Sequence, residues 1–319
     1  MDQGVTNIWN DLEVACDLLS SDEIVGLPTE TVYGLAASID SATGLRKIFE
    51  TKARPFFDPL IVHVASKEDA RTLVTQWPDE AECLASAFWP GPLTLILPKS
   101  LRISDVITAG LPQVGIRVPA HPVARRIARE IGAFAAPSAN RFGKTSPSLA
   151  SHVRSEFPDQ KLFVVDGGPC RVGIESTIVE VKSHALKILR AGMIQKAEIE
   201  SQLLKCGLSA VVGYSQAPHA PGQLDEHYQP QVPLCFVSNP SPLEDSEILS
   251  KIGLSASTKI KHLKLSPNAF EAARELYSKL RSFQLESTDL IVFQMKVEME
   301  DEVWFGILDR LRRASSHHI

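Results

Sequence analysis

Apolar residues recur at helical spacing over residues 8–20, where Ile8, Leu12, Ala15, Cys16 and Leu19 share one face. The same spacing predicts helices over 42–53, 122–131 and 195–205. The helix at 42–53 carries Lys52 and Arg54 out at its C-terminal end, and Pro55 stops it because the ring cannot continue a helix. Between these segments lie short apolar runs with strand character, at 24–27, 60–64, 93–97, 114–118, 133–136, 162–165, 177–181 and 187–189. In the run 114–118, Val114, Ile116 and Val118 alternate with Gly115 and Arg117, which puts Arg117 on the face opposite the valines. Strands and helices mix without regular alternation, so the expected fold class is α/β of the α+β kind, a twisted and partly antiparallel mixed sheet with helices.

The pattern changes near residue 213, where Pro218, Pro221, Gly222, Pro230 and Pro233 accumulate and apolar periodicity fades. Strand-like runs at 234–237 and 290–297 and helices at 244–252, 268–283 and 303–313 follow. The last helix presents Val303, Trp304, Ile307, Leu308 and Leu311. The organisation is therefore a sheet domain at 1–210, a proline-rich linker at 211–233, and a smaller doubly wound α/β domain at 234–319.

Composition narrows the function. The chain has 319 residues, 44% hydrophobic and 22% charged, with a formal charge of -5. A wide RNA-gripping face normally brings a basic excess, so any RNA contact is expected to be local or indirect. Neither a membrane span nor an N-terminal signal peptide is legible. Five scattered cysteines, Cys16, Cys83, Cys170, Cys206 and Cys235, show no zinc spacing and suggest reduced thiols in a cytoplasmic protein. His317 and His318 read as a tail, native or added.

Two phrases carry the chemistry. Lys52-Ala53-Arg54-Pro55 supplies two cations at a helix end, and Pro137-Ser138-Ala139-Asn140 supplies a hydroxyl and an amide after an apolar strand. Such groups converging on one cleft suit a polyphosphate, although helix-end cations and turn residues also occur without that role. Gly143-Lys144-Thr145 is not the end of a phosphate loop, because Ser138 stands where that motif needs its first glycine. Arg117 needs an anion, either an internal carboxylate or that of a substrate. His63 interrupts an apolar strand and is either a satisfied core residue or a ligand. Ser176 and Thr177 open a strand, and Arg190 closes one before Gly192. No nucleophile-base triad is legible from spacing. Asp58, Asp166 and Glu175 are scattered, so no protein-built metal site is expected, and Mg2+ would arrive on a nucleotide.

In their order along the chain these phrases resemble the threonylcarbamoyl-AMP synthase family in its two-domain form, with a YrdC-like domain over roughly residues 10–205. The resemblance rests on Gly26-Leu27-Pro28-Thr29-Glu30-Thr31-Val32-Tyr33-Gly34-Leu35, Lys52-Ala53-Arg54-Pro55 with Pro59-Leu60, and Gly115-Ile116-Arg117-Val118-Pro119. It continues through Ala136-Pro137-Ser138-Ala139-Asn140, Glu175-Ser176-Thr177-Ile178-Val179 and Leu189-Arg190-Ala191-Gly192. Pro221-Gly222 to His227-Tyr228-Gln229-Pro230 and the ending Leu308-Asp309-Arg310-Leu311 match more loosely. The resemblance implies that L-threonine, bicarbonate and ATP give threonylcarbamoyl-adenylate and pyrophosphate. Downstream transfer proteins would then pass the threonylcarbamoyl group to a tRNA adenosine beside the anticodon.

The resemblance also assigns residues. Lys52 and Arg54 would be catalytic, and with Asp58, Gln113, Ser138, Asn140, Ser148, Arg190 and Tyr228 they would surround ATP. Thr31, His63, Arg117 and Ser176 would surround threonine. Tyr228 would fold over the nucleotide as a lid. Asp58 stands where the family usually has asparagine, and a carboxylate there repels triphosphate unless a cation intervenes. The segment Gln223-Leu224-Asp225-Glu226 is acidic where the family's lid is more often basic or neutral. Two other readings remain at this point: a silent RNA-binding YrdC-like protein, and an enzyme that adenylates another carbamoyl donor.

Overall fold

A computed structural model of the chain describes residues 8–215 and 227–319. The Pro221-Gly222 phrase and the acidic stretch at 223–226 lie outside the described residues. The first part contains strands β1 (Val25–Leu27), β2 (Gly34–Ser38), β3 (Ile61–His63), β4 (Leu93–Pro98), β5 (Gln113–Arg117), β6 (Phe134–Ala135), β7 (Phe163–Val164), β8 (Thr177–Lys182), β9 (Ala185–Arg190) and β10 (Val211–Tyr214). Its helices are α1 (Ile8–Ser20), α2 (Ala42–Lys52), α3 (Lys67–Thr72), α4 (Asp79–Phe88), α5 (Asp105–Thr108), α6 (Pro122–Ile131), α7 (Ala150–Glu156) and α8 (Lys196–Lys205). The strands form one sheet in the order β10-β9-β8-β4-β5-β3-β6-β2-β1-β7. Pairing is mixed: β3 and β5 run parallel, while β5 and β4 run antiparallel.

One face of this sheet is buried under helices. Val62, Leu95, Leu97, Val114, Ile116, Val179 and Ile188 pack there against Leu45, Ile48 and Phe49 of α2, Leu84 of α4 and Leu203 of α8. On the other face α1 and α6 cover one end, where Val25, Leu27, Ala36 and Phe134 meet Leu12, Leu19 and Ile127. Among the described residues no helix covers the β3-β5-β4-β8-β9 end of that second face, and the alternating residues Ile61, His63, Thr94, Ile96, Gly115, Arg117, Ile178 and Leu189 line cavities instead. Arg117 therefore stands opposite Val114 and Ile116, as its strand position predicts.

The second domain has strands β11 (Leu234–Val237), β12 (Ile260–His262), β13 (Leu290–Gln294) and β14 (His317–His318), all parallel in the order β12-β13-β11-β14. Its helices are α9 (Asp245–Ile252), α10 (Ala269–Ser282) and α11 (Phe305–Ala314). Alternation along β11 and β13 splits the core into two layers. Leu234, Phe236, Ile291 and Phe293 pack under α10 and α11, while Cys235, Val237, Leu290 and Val292 pack under α9. Such two-sided burial defines a doubly wound sheet.

Several sequence expectations change. The segment 211–214, read as the start of the linker, is strand β10 and pairs with β9. The strand expected over 290–297 ends at Gln294, and Val297 begins a 3-10 turn. β2 was not foreseen because Gly-Leu-Ala-Ala-Ser lacks the branched residues that mark strands, yet all five positions are buried. The ten-residue α4 was also missed, its alanines giving little apolar contrast. His317 and His318 are an integrated edge strand beside β11. The cysteine expectation is corrected too: α4 and α8 lie side by side and join Cys83 to Cys206, with Cα atoms 6.3 Å apart across a separation of 123 residues.

At two places the domains meet through bare backbone. A Cβ on Gly173, whose φ is +87, would stand 2.3 Å from the Cα of Arg274 and 2.4 Å from the oxygen of Ala273, both in α10. Gly306 opens α11 against the oxygen of Gly192, which a Cβ would approach to 2.9 Å. We expect Gly173→Ala to cost about 1–3 kcal/mol through overpacking and a strained φ. Urea unfolding checks this, and an unchanged midpoint would show that the seam has room to give.

Candidate active site

The helix-free end of the sheet holds two adjoining cavities that share Pro59 and Ile61. The narrower one, about 60 Å³, is lined by Thr31, Arg54, His63, Arg117, Ser138, Glu175, Ser176, Arg190, His227 and Tyr228 among others. The sheet thus gathers residues from positions 31 to 228 into one place. The second cavity, about 270 Å³, combines Leu60, Ile96, Leu111, Ile178 and Leu189 with Thr94, Gln113 and Ser215.

At one side of the first cavity Arg117, 3% exposed, donates from Nη1 to the Thr31 hydroxyl at 3.0 Å. Its Nη2 lies 3.1 Å from Glu30 Oε2. That contact is poorly aligned, so Nε and Nη2 of Arg117 and both Glu30 oxygens make no hydrogen bond. The anion that Arg117 needs is thus partly supplied from inside the protein, and a planar fork keeps donors for a second acceptor. Thr29 orients Thr31, their hydroxyls being 2.8 Å apart. His63 stacks on Phe134 with ring centroids 5.2 Å apart. Burial, with Arg117 adding, pushes its pKa well below the usual histidine value, so the ring is neutral. Ser176 Oγ lies 2.7 Å from Thr94 Oγ1 and accepts from Arg190 Nη2 at 3.1 Å.

At the other side stands Arg54. Helix α2 ends at Ala53, whose φ of 49 and ψ of 41 are left-handed, and this turn swings Arg54 inward. Arg54 donates to the oxygens of Asp58 at 3.1 Å and Pro59 at 2.8 Å, and Nη2 sits 2.9 Å from Asp58 Oδ2. Both side chains are about 5–6% exposed. Burial outweighs their mutual attraction, lowering the pKa of Arg54 and raising that of Asp58. The repulsion anticipated for Asp58 is therefore met by a cation within the chain.

Other expected residues lie outside the first cavity's wall. Lys52 turns its ammonium onto the carbonyls of Ser138, at 2.5 Å, and Asn140. Burial first, then Arg54, lowers its pKa well below the ordinary amine value. Its observed contact is a brace beneath the Ser138 turn, since its donors face backbone. Asn140 Nδ2 closes the same turn by donating to the oxygens of Arg141 and Lys144. Ser148 faces Ser278 of α10 at 2.9 Å, across the domain seam. Gln113 belongs to the second cavity.

Glu175, read from sequence as a scattered acid, is central. Its carboxylate accepts from Ser146 Oγ at 2.6 Å, Tyr277 at 2.9 and 3.2 Å and Arg310 Nε at 3.0 Å. Burial alone would raise its pKa; Arg310, then Arg190 and Ser146, outweigh that and hold it at about 2. Tyr228, at a φ of 65, is 1% exposed, stacks near Tyr277 at 6.0 Å and has the Arg310 guanidinium 5.5 Å from its ring. Its backbone oxygen accepts from the Thr145 hydroxyl, which pins the linker's end to the loop after Asn140. Nothing in the spacing around Glu175 marks it. Arg310 does leave a trace, standing three residues after Ile307 on the apolar side of its helix.

A family model described as "Telomere recombination" matches residues 17–192, and one described as "Threonylcarbamoyl-AMP synthase, C-terminal domain" matches 194–316. A threonylcarbamoyl-AMP synthase of Pyrococcus abyssi is 36% identical over 97% of this chain and 95% of its own length. One of Bacillus subtilis is 35% identical over 97% and 95%. A crystal structure of P. abyssi Sua5 complexed with L-threonine superposes with a TM-score of 0.86 at 32% identity, covering 98% of this chain and 97% of that one.

The buried histidines generate a pH prediction. Burial lowers His227 to about 3, with Arg54 and Lys52 adding and Glu175 opposing. As pH falls through about 6.5 the unfolded chain takes up protons at His63 and His227 that the folded chain refuses, so stability drops with pH. We expect a loss of about 1.4 kcal/mol per pH unit for each such histidine below about pH 6. Urea unfolding between about pH 6.5 and 5 measures it. His63→Gln or His227→Gln should flatten the slope, and an unaltered slope in both would refute the account.

Proposed function

The chain belongs to the threonylcarbamoyl-AMP synthase family and makes a threonine-derived carbamoyl adenylate for tRNA modification, and we propose that the helix-free end of its large sheet is where this happens. ATP and threonine are the substrates. Bicarbonate condenses with the threonine amine to a carbamate, losing water, and a carbamate oxygen attacks the α-phosphorus of ATP and expels pyrophosphate. No general base is required once the carbamate is an anion; the reaction needs two anions held in line and the developing charge offset.

The observation that carries this reading is the pairing of two cationic stations in one cavity. Arg117, with Thr31, His63 and Ser176, takes threonine, its spare Nε and Nη2 suiting a carboxylate. Arg54 and Arg190 take the phosphates with the Ser138 hydroxyl, while Lys52 and Asn140 keep the Ser138 turn in shape. Asp58 holds Arg54 in place beside the phosphates. The adjoining cavity, where Leu60, Ile96, Leu111, Ile178 and Leu189 meet polar groups including Gln113, Glu180 and Lys187, takes the adenosine. Ser148, at the seam, serves the site through the packing of α10. Tyr228 and His227 close over the reactants and exclude water.

Mg2+ enters with ATP. Glu30, Asp58 and Glu175, the acids nearest the reactants, each face an arginine, and no group of three metal-binding side chains occurs among the described residues. The ion's shell is then filled by phosphates and water. No helix is long and apolar enough to cross a membrane among the described residues, and we place the enzyme in the cytoplasm, where it hands its adenylate to separate transfer proteins and meets tRNA indirectly. Functionally we divide the chain into a catalytic domain that includes β10, a linker that ends at Pro233 and a C-terminal domain at 234–319.

Mixing ATP, Mg2+, bicarbonate and threonine should give the mixed anhydride by mass spectrometry and threonine-dependent pyrophosphate. Adenylate formation with carbamoyl phosphate replacing threonine would overturn the reading. Arg117→Gln should weaken threonine binding about 10- to 100-fold, the worth of one charge-assisted hydrogen bond, and leave ATP binding unchanged. Calorimetry with each ligand separately decides, and an unmoved threonine titration removes Arg117 from the site.

A further inference from the structure

Among the described residues lining the first cavity, Glu175 is the one carboxylate. The same wall contains Arg54 and Arg190, the groups assigned to phosphate. An uncompensated carboxylate in that wall would oppose every anionic ligand, and the low dielectric of a buried site would magnify the effect. Ser146 and Arg190 offset part of it from within the sheet domain, and the larger part comes from across the domain seam. Arg310 Nε, from α11, lies 3.0 Å from Glu175 Oε2, and the Tyr277 hydroxyl of α10 donates to both carboxylate oxygens.

Arg310 is fully buried and held by more than this pair. Its Nη1 donates to the oxygens of Ala191 and Gly306, the latter at 3.3 Å, and approaches Asp309 Oδ2 at 3.3 Å. Ala191 follows Arg190 directly. The guanidinium thus meets two parts of the cavity wall, the Glu175 carboxylate and the ring of Tyr228, and also the backbone directly after Arg190. The C-terminal domain contributes no other cation to the Glu175 carboxylate among the described residues.

We propose that Arg310 is a positioning residue for the nucleotide: by cancelling the charge of Glu175 from across the seam, it makes the cavity's affinity for ATP depend on the docked C-terminal domain. The proposal rests on the assignment of this cavity to ATP and threonine. Threonine, held at the Arg117 end, depends on Arg310 far less.

The test is calorimetric titration of the full chain with ATP, and separately with threonine, in Arg310→Met, Glu175→Gln and the double variant. Arg310→Met should weaken ATP binding about tenfold or more, the cost of one repulsive charge, with threonine affinity within about threefold of wild type. Glu175→Gln should keep ATP affinity, and adding it to Arg310→Met should recover most of the loss. A bond that merely braces the seam gives a different result: the double variant is no better than Arg310→Met, and Glu175→Gln alone loses ATP as well. Either result overturns the proposal, as does wild-type ATP affinity in Arg310→Met. If Arg310→Met fails to fold, Glu175→Gln decides: retained ATP affinity supports the proposal, and a loss of about tenfold ends it. Absence of threonine-dependent pyrophosphate from the wild-type chain would instead refute the assignment of the cavity, whatever the variants bind.

Discussion

A guanidinium taken out of water must be answered by negative charge or by oxygen lone pairs, and this chain buries four of them around one cavity. Arg117 has Glu30, Arg54 has Asp58, Arg310 has Glu175, and Arg190 leans on the oxygens of Ser176. The internal partners let the cations be stored in a folded protein. They also explain how a chain of formal charge -5 can gather positive charge locally around one cavity.

The sheet makes that storage possible by leaving part of one face without helices. Along β5, Val114 and Ile116 enter the helix-covered core, and Gly115 and Arg117 face the cavities. Along β3, Val62 and His63 divide in the same way. Cavity lining and core packing therefore use alternate residues of the same short strands, so a one-residue register shift would exchange hydrophobic packing for the cavity wall.

Much of this was legible in the order of residues. The alternation at 114–118 placed Arg117 correctly, and the stop at Pro55 marked where α2 would release Arg54. What stayed hidden was partnership over long separations. The brace between Lys52 and the carbonyls of Ser138 and Asn140 gives no periodic signal, because backbone oxygens look alike in a sequence. Glu175 sits beside a recognisable Ser176, yet its importance depends on an arginine 135 residues later in another domain. The Cys83–Cys206 bridge was obscured for the same reason: two helices must first be brought together by the sheet before their cysteines are neighbours.

The glycine seam has a consequence for modularity. Gly173 lies against the backbone of α10, and Gly306 lies against the oxygen of Gly192, so the halves touch where neither has a side chain to trim. A chimera that joined this sheet domain to a foreign C-terminal unit would have to reproduce the same main-chain contour at both places. The two pieces can be exchanged between proteins as a matched pair more readily than one at a time.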